Sequence, residues 1–194
     1  MTGHFQECLL ERSKTCYNIS VELDFEIDKI TESIENSQTG EVYKTIVLPI
    51  NASDLQSINK KNNWLFDWKL EFSQLEHKIY KLVTEIEPNF IQGLISLEKD
   101  EGFILMNLLE NAPFNIGKNK KYYGVACNLV AYGCKLSKEC GFDGVLAFDS
   151  KTNLISHYEN ILGAVKLGGS RMAIFEERAN FLISKYFPET EEKK

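Results

Sequence analysis

Between Phe103 and Cys140 the chain strings together a strand-like apolar run, FILMNLLENA, a turn, Lys121-Tyr122-Tyr123-Gly124-Val125-Ala126, and a helix-compatible run, CNLVAYGCKLSKEC. Strand, turn and helix in that order make an anion site. A helix start leaves unpaired backbone N–H groups and the positive end of the dipole facing outward, so a pyrophosphate can be seated there with few side-chain cations. Gly124 lacks a Cβ and lets the backbone approach such a group, while Val125, Ala126 and Cys127 present the next N–H donors. Taken alone, the hexapeptide is explained at least as well by a glycine that merely caps a helix. Lys118, Lys120 and Lys121 approach the turn inside an otherwise acidic chain. They either meet a ligand's phosphates or form a solvated loop.

The turn needs elements to hold it. Ala126, Leu129, Val130, Gly133, Cys134 and Ser137 recur at helical spacing and make one face of mainly small residues, which packs closely on a sheet; Asn128, Lys135, Lys138 and Glu139 fall mostly on the other side. Upstream, residues 77–86, 90–98 and 103–111 read as strands. Their connections are hairpin-short, so they are antiparallel neighbours. Downstream, 144–148 reads as a strand parallel to 103–111, since a strand, helix, strand unit demands it. A helix over 153–162 ends at Gly163, AVKL and RMAIFE flank Gly168-Gly169 as a hairpin, and ERANFLISKYF is a terminal helix before a fraying polar tail. At the other end, 4–17 is helix-compatible, and Ile19, Val21, Leu23, Phe25 and Ile27 alternate with polar residues as a half-buried strand. ITESIE and EVYKTIVLPI flank a turn-rich NSQTG and read as a hairpin, and Asn51 or Ser53 caps a short helix to about Lys61. Trp64, Phe66 and Trp68 read as core packing.

Length and charge set the class. The 194 residues, 43% of them hydrophobic, suit one sizeable core and a single domain over 1–194. A net charge of -6 excludes a general nucleic-acid binder and weakly favours a cationic or amine substrate. Apolar runs stay short of the roughly 20 residues of a membrane span, and the N-terminus lacks the order of a signal peptide, so a cytoplasmic protein without membrane partners is expected. Cys8, Cys16, Cys127, Cys134 and Cys140 are an odd count without CxxC pairs and read as free thiols, not a disulfide framework or metal site.

At this point the chain resembles the GNAT acyltransferase superfamily, whose members transfer an acetyl group from acetyl-CoA to an amine. The resemblance covers about residues 76–176. Lys121-Tyr122-Tyr123-Gly124-Val125-Ala126 matches the family's phosphate loop, Arg/Gln-x-x-Gly-x-Gly/Ala, with lysine in first place. The order of strands and helix around it is the family's order. Asn153-Leu154-Ile155-Ser156-His157-Tyr158-Glu159-Asn160, followed by Leu162-Gly163, is similar to the family's late motif of asparagine and tyrosine before leucine-glycine. The segment from Pro113 to Gly124 departs from the family by its length.

The resemblance implies an α+β fold: a central, mostly antiparallel sheet with one parallel, splayed strand pair, flanked by helices. Residues 1–75 would supply acceptor-side elements, 76–176 the coenzyme A-binding core and 177–194 a C-terminal helix and tail. Acetyl-CoA would lie along the splayed strand at Leu108 and Leu109 and on the turn from Lys121 to Cys127, with Asn153 either helping to hold it or capping a helix. Tyr158 matches the family's general acid, and a phenol of pKa about 10 is well matched to a departing thiolate. Glu110, at the end of the splayed strand, and Glu98 are candidate general bases. His157 reads as solvated surface, because adjacent helical residues do not face one another.

The reading is thus an N-acetyltransferase acting on a small-molecule or peptide amine, compatible with a homodimer. Its alternative is a non-catalytic acyl-CoA-binding regulatory module. A nucleotide-binding domain of another fold is disfavoured, because no Gly-Lys-Ser/Thr follows the glycine.

Overall fold

The structure, a computed structural model, describes residues 27–188. The helix read at 4–17, the strand read over 19–27 apart from Ile27, Cys8, Cys16 and the polar tail from Glu189 lie outside the described residues.

The expected hairpin forms between β1 (Ile34–Asn36) and β2 (Val42–Tyr43). Its turn is closed by Asn36, whose side-chain oxygen accepts the N–H groups of Gln38 and Thr39 at 2.9 and 3.1 Å. The run expected to continue unbroken to Ile50 instead divides at Lys44. β3 (Thr45–Pro49) leaves the hairpin and pairs with β4 (His77–Thr84) at one edge of a second, larger sheet. β5 (Gly93–Lys99) and β6 (Ile104–Asn111) follow as antiparallel neighbours, as their short connections require.

After β7 (Tyr122–Tyr123) comes α2 (Val125–Glu139), preceded in the chain by a short α1 (Trp68–Phe72). β8 (Leu146–Asp149) then lies parallel to β6. α3 (Ile155–Leu162) ends on Gly163, the β9 (Val165–Gly168) and β10 (Arg171–Ile174) hairpin closes the sheet, and α4 (Glu176–Tyr186) ends the described chain. Seven strands run in the order β3-β4-β5-β6-β8-β10-β9, mixed and mostly antiparallel.

Consecutive residues of a strand face opposite ways, and both faces of the sheet are covered. Ile95 and Leu109 join a core with Val125, Leu129, Val130 and Cys134 of α2, Tyr158 of α3 and Leu182 of α4. Their neighbours Leu94 and Leu108 join a second core beneath residues 50–68, with Ile58, Trp64 and Trp68. The tryptophans are core, as their size and spacing suggest. Residues 51–62 form two single 3-10 turns, Asp54–Gln56 and Lys60–Asn62, where one short helix is expected. Ser53 holds the N-cap position of the first without a side-chain cap bond, while Asn51, two residues earlier, accepts the N–H groups of Ser53 and Asp54 through its side-chain oxygen. Asn128 departs from its expected solvent side, being buried and donating to Thr45 Oγ1 at 2.8 Å.

The helix start is pressed against the sheet end by Gly93. A Cβ there would stand 2.9 Å from Val125 Cγ1 and 3.0 Å from the Glu110 carbonyl oxygen, so only glycine permits the approach.

Candidate active site

β6 and β8 are paired only at Ile104 with Leu146 and Leu105 with Ala147. Two residues later the β5–β6 register slips: Ser96 faces Leu108 while Leu97 faces Met106, which leaves Asn107 as an extra residue in β6. A bulge of this kind bends its strand and strengthens the local twist. The bulge accounts for the splay, since Leu108 to Asn111 keep their β5 partners while no β8 partner follows Leu105 among the described residues. Leu108 and Leu109 therefore lie on the β6 side of the parting, with the end of β8 on the other. That end is fixed by a buried bidentate pair, Arg171 Nε and a terminal guanidinium nitrogen donating to the Asp149 oxygens at 3.0 and 2.9 Å. Neither the bulge nor the pair carries a sequence signal, because each depends on which strands become neighbours.

The phosphate turn stands at the end of β6. Gly124 has φ +79°, the left-handed conformation that favours glycine, and is the residue from which α2 starts. Its N–H donates to Asp28 Oδ1 at 3.0 Å, and the ammonium of Lys120 lies 3.2 Å from Asp28 Oδ2. A carboxylate thus already occupies the anion position that the turn offers. Around it, β1 pairs with β7, setting Glu35 opposite Tyr123 and Asn36 opposite Tyr122, so the approach to the turn is strand rather than free loop. Asn115 braces that approach from the other side, donating to the Gln92 carbonyl and accepting the Tyr122 N–H at 3.1 Å. Thr31 N–H donates to Tyr186 Oη at 2.9 Å.

Beneath this cover Val125 and Ala126 are each 1% exposed and Cys127 is wholly buried. Burial, with Asp28 nearby, pushes the Cys127 thiol up to about 12, so it is inert at neutral pH. Tyr122 is buried against Tyr43, Tyr123 lies under the ammonium groups of Lys29 and Lys120, and Lys121 is exposed, 3.7 Å from Glu87.

Tyr158 is fully buried, its ring edge-on to Phe148 at 5.5 Å. Phe148 follows Ala147, the last β8 residue paired with β6, so Tyr158 packs where β8 parts from β6. Asn153 is exposed within a 3-10 turn, Thr152–Leu154, and caps neither that turn nor α3. His157, expected on the surface, is half-buried against the Tyr158 ring, and its Nε2 is buried with no hydrogen-bond partner.

Glu110 is 2% exposed and holds two donors, the Leu65 N–H and Trp68 Nε1–H, each at 2.6 Å. Burial raises its carboxyl above the usual range, and those donors only partly offset the rise. Glu98 faces Leu105, at the paired end of β6 away from the splay, beside His77 Nε2 at 3.5 Å.

No family model matches the chain, and no curated protein matches its sequence. Solved structures do. A mutant form of spermidine/spermine N-acetyltransferase SpeG from Vibrio cholerae aligns with a TM-score of 0.52 at 14% identity, over 71% of this chain and 98% of that one. A chimera of the same Vibrio cholerae enzyme with hSSAT aligns at 0.51 and 13%, over 71% and 99%. The chain has the GNAT acyltransferase fold. A carboxylate seated on the Gly124 N–H and the Lys120 ammonium shows that these donors suit an anion. A phosphate oxygen could take the same two donors once Asp28 gave way.

Proposed function

We propose that the chain is an acetyl-CoA-dependent N-acyltransferase that acts on an amine. The observation that carries this reading is the parting of β6 from β8 beyond Leu105, with a glycine-started helix at the end of the parted strand. The backbone groups of Leu108 and Leu109 on the side of the parting are the donors and acceptors this assigns to the cofactor's pantetheine arm. Lys121, Tyr122, Tyr123, Gly124, Val125, Ala126 and Cys127 are assigned to its pyrophosphate, and Asn153 to the far side of the parting. Bound acetyl-CoA would supply an activated thioester.

Everything else falls to the chain's own groups. Tyr158 holds a proton at its hydroxyl beside the end of β8, where a departing thiolate would need one. Glu110 stands on the opposite face, beneath the acceptor-side segment. Its raised proton affinity brings it closer to what accepting a proton from an ammonium requires, and its two donors fix its position. Two of the similar solved structures are forms of the spermidine/spermine N-acetyltransferase SpeG, and a net charge of -6 suits cationic acceptors, so polyamines head the trial panel, before peptides and aminoglycosides. Turnover of acetyl-CoA against that panel tests the reading. Amine-dependent release of free thiol is the expected result.

A further inference from the structure

We infer that Asp28 is a built-in competitor for the phosphate seat, and that residues 28–33 are a latch that acyl-CoA must displace; this rests on the acyltransferase reading above. The latch is bounded by two anchors. Ile27 and Ile34 are 1% and 0% exposed within the main core, and ladder pairing begins only at Ile34, where β1 meets β2. Between them residues 28–33 have neither helix nor strand structure. At the turn the span is held by Asp28, on the Gly124 N–H and Lys120, and by Lys29 over the Tyr123 ring; beyond it Thr31 N–H donates to Tyr186 Oη, Ser33 Oγ donates to the Tyr43 carbonyl, and Ile30 packs on the core.

The donors Asp28 uses are those a pyrophosphate would use. The single Gly124 N–H can satisfy one acceptor at a time, so a phosphate oxygen reaches it only as the carboxylate leaves, and the two charges would repel if both stayed. Sterics point the same way. The space beside Gly124 is filled by Thr31, since a Cβ on Gly124 would overlap Thr31 Oγ1 and come to 2.8 Å of the Ser33 carbonyl oxygen. With Val125, Ala126 and Cys127 buried, the helix start has no open surface until the span lifts. Apparent affinity is then reduced by the fraction of molecules in which the latch is open.

Calorimetric titration of the full chain with CoA tests this, comparing wild type with Asp28→Ala and with Glu32→Ala. Glu32 is exposed on the same span, so its replacement makes the same charge change away from the turn. Asp28→Asn serves as the second variant if Asp28→Ala fails to fold. The expected result is binding about tenfold tighter or better after loss of the Asp28 carboxylate, and unchanged binding after loss of Glu32. Amides 28–33 should also exchange faster in wild type when CoA is added, while 34–36 do not. If wild type binds CoA and removing the carboxylate leaves affinity equal or weaker, the latch is overturned and the acyltransferase reading stands. If neither protein binds CoA, both are overturned.

Discussion

Two carboxylates each fasten one segment of the chain over another, and they do it differently. Asp28 fastens residues 28–33 over the phosphate turn through one backbone N–H and one lysine, its side chain still partly open to solvent. Glu110 fastens residues 65–68 over the other face of the sheet through a backbone N–H and an indole N–H, almost wholly out of water. The first is a charge balanced by an opposite charge near the surface, easily exchanged for another anion. The second is a buried carboxyl held by neutral donors, which cannot leave without stranding the Trp68 indole N–H. The Asp28 closure is therefore suited to change partners and the Glu110 closure to stay put.

The largest effect should come from breaking the fixed closure. Glu110→Ala leaves the buried Trp68 indole N–H and the partly buried Leu65 N–H without an acceptor and should lower unfolding stability by about 3 kcal/mol in urea titration. A loss below about 1 kcal/mol would make the two closures alike. Tyr158→Phe asks whether chemistry can be separated from both. It should lower kcat roughly 100-fold in the thiol-release assay while CoA affinity stays within about twofold. Equal loss of affinity and rate would assign Tyr158 to packing against Phe148 instead. Gly124→Ala strikes the exchangeable closure through its backbone, combining a left-handed φ with overlap against Thr31. A stability loss of about 2 kcal/mol is expected, and a neutral result would show that the span over the turn is already free.

The smallest effect is in pH. Glu110 has a folded pKa above its ordinary 4.5, so its protonated form is favoured by folding. Its stabilising share is full below 4.5 and shrinks as pH rises through the folded value. The stability of wild type relative to Glu110→Gln should accordingly fall from pH 4.5 upward and then level off, as read by urea titrations across pH. A difference that rose with pH would mean that the Leu65 and Trp68 donors outweigh burial.

Much of this was legible in the sequence, and the limits have physical causes. The strands of the large sheet announce themselves by hairpin-short connections, α2 by its small face at helical spacing, and Gly163 by its place at a helix end. Such signals are local. The five-residue α1 is too short to show a period, and residues 51–62 break into 3-10 turns that share no repeating face. The pairing of Tyr122–Tyr123 with Glu35–Asn36 joins distant segments, and with it went the cover on the phosphate turn. The helix start at Gly124 and the helix that carries Tyr158 could be read from pattern and order. The Asn107 bulge, the burial of Val125 to Cys127 and the two donors on Glu110 could not, because each arises from which segments fold against one another. His157 shows the same limit: helical geometry turns it away from Tyr158 in sequence, yet its ring packs edge-on against the neighbouring phenol.

The most direct measurement is the release of free CoA thiol from acetyl-CoA by the full chain, with and without amines from the polyamine, peptide and aminoglycoside classes. An acyltransferase with Tyr158 as its proton donor should release thiol only when both an amine and the Tyr158 hydroxyl are present. A folded chain that releases no thiol with any amine, and is not stabilised by acetyl-CoA, would contradict that reading.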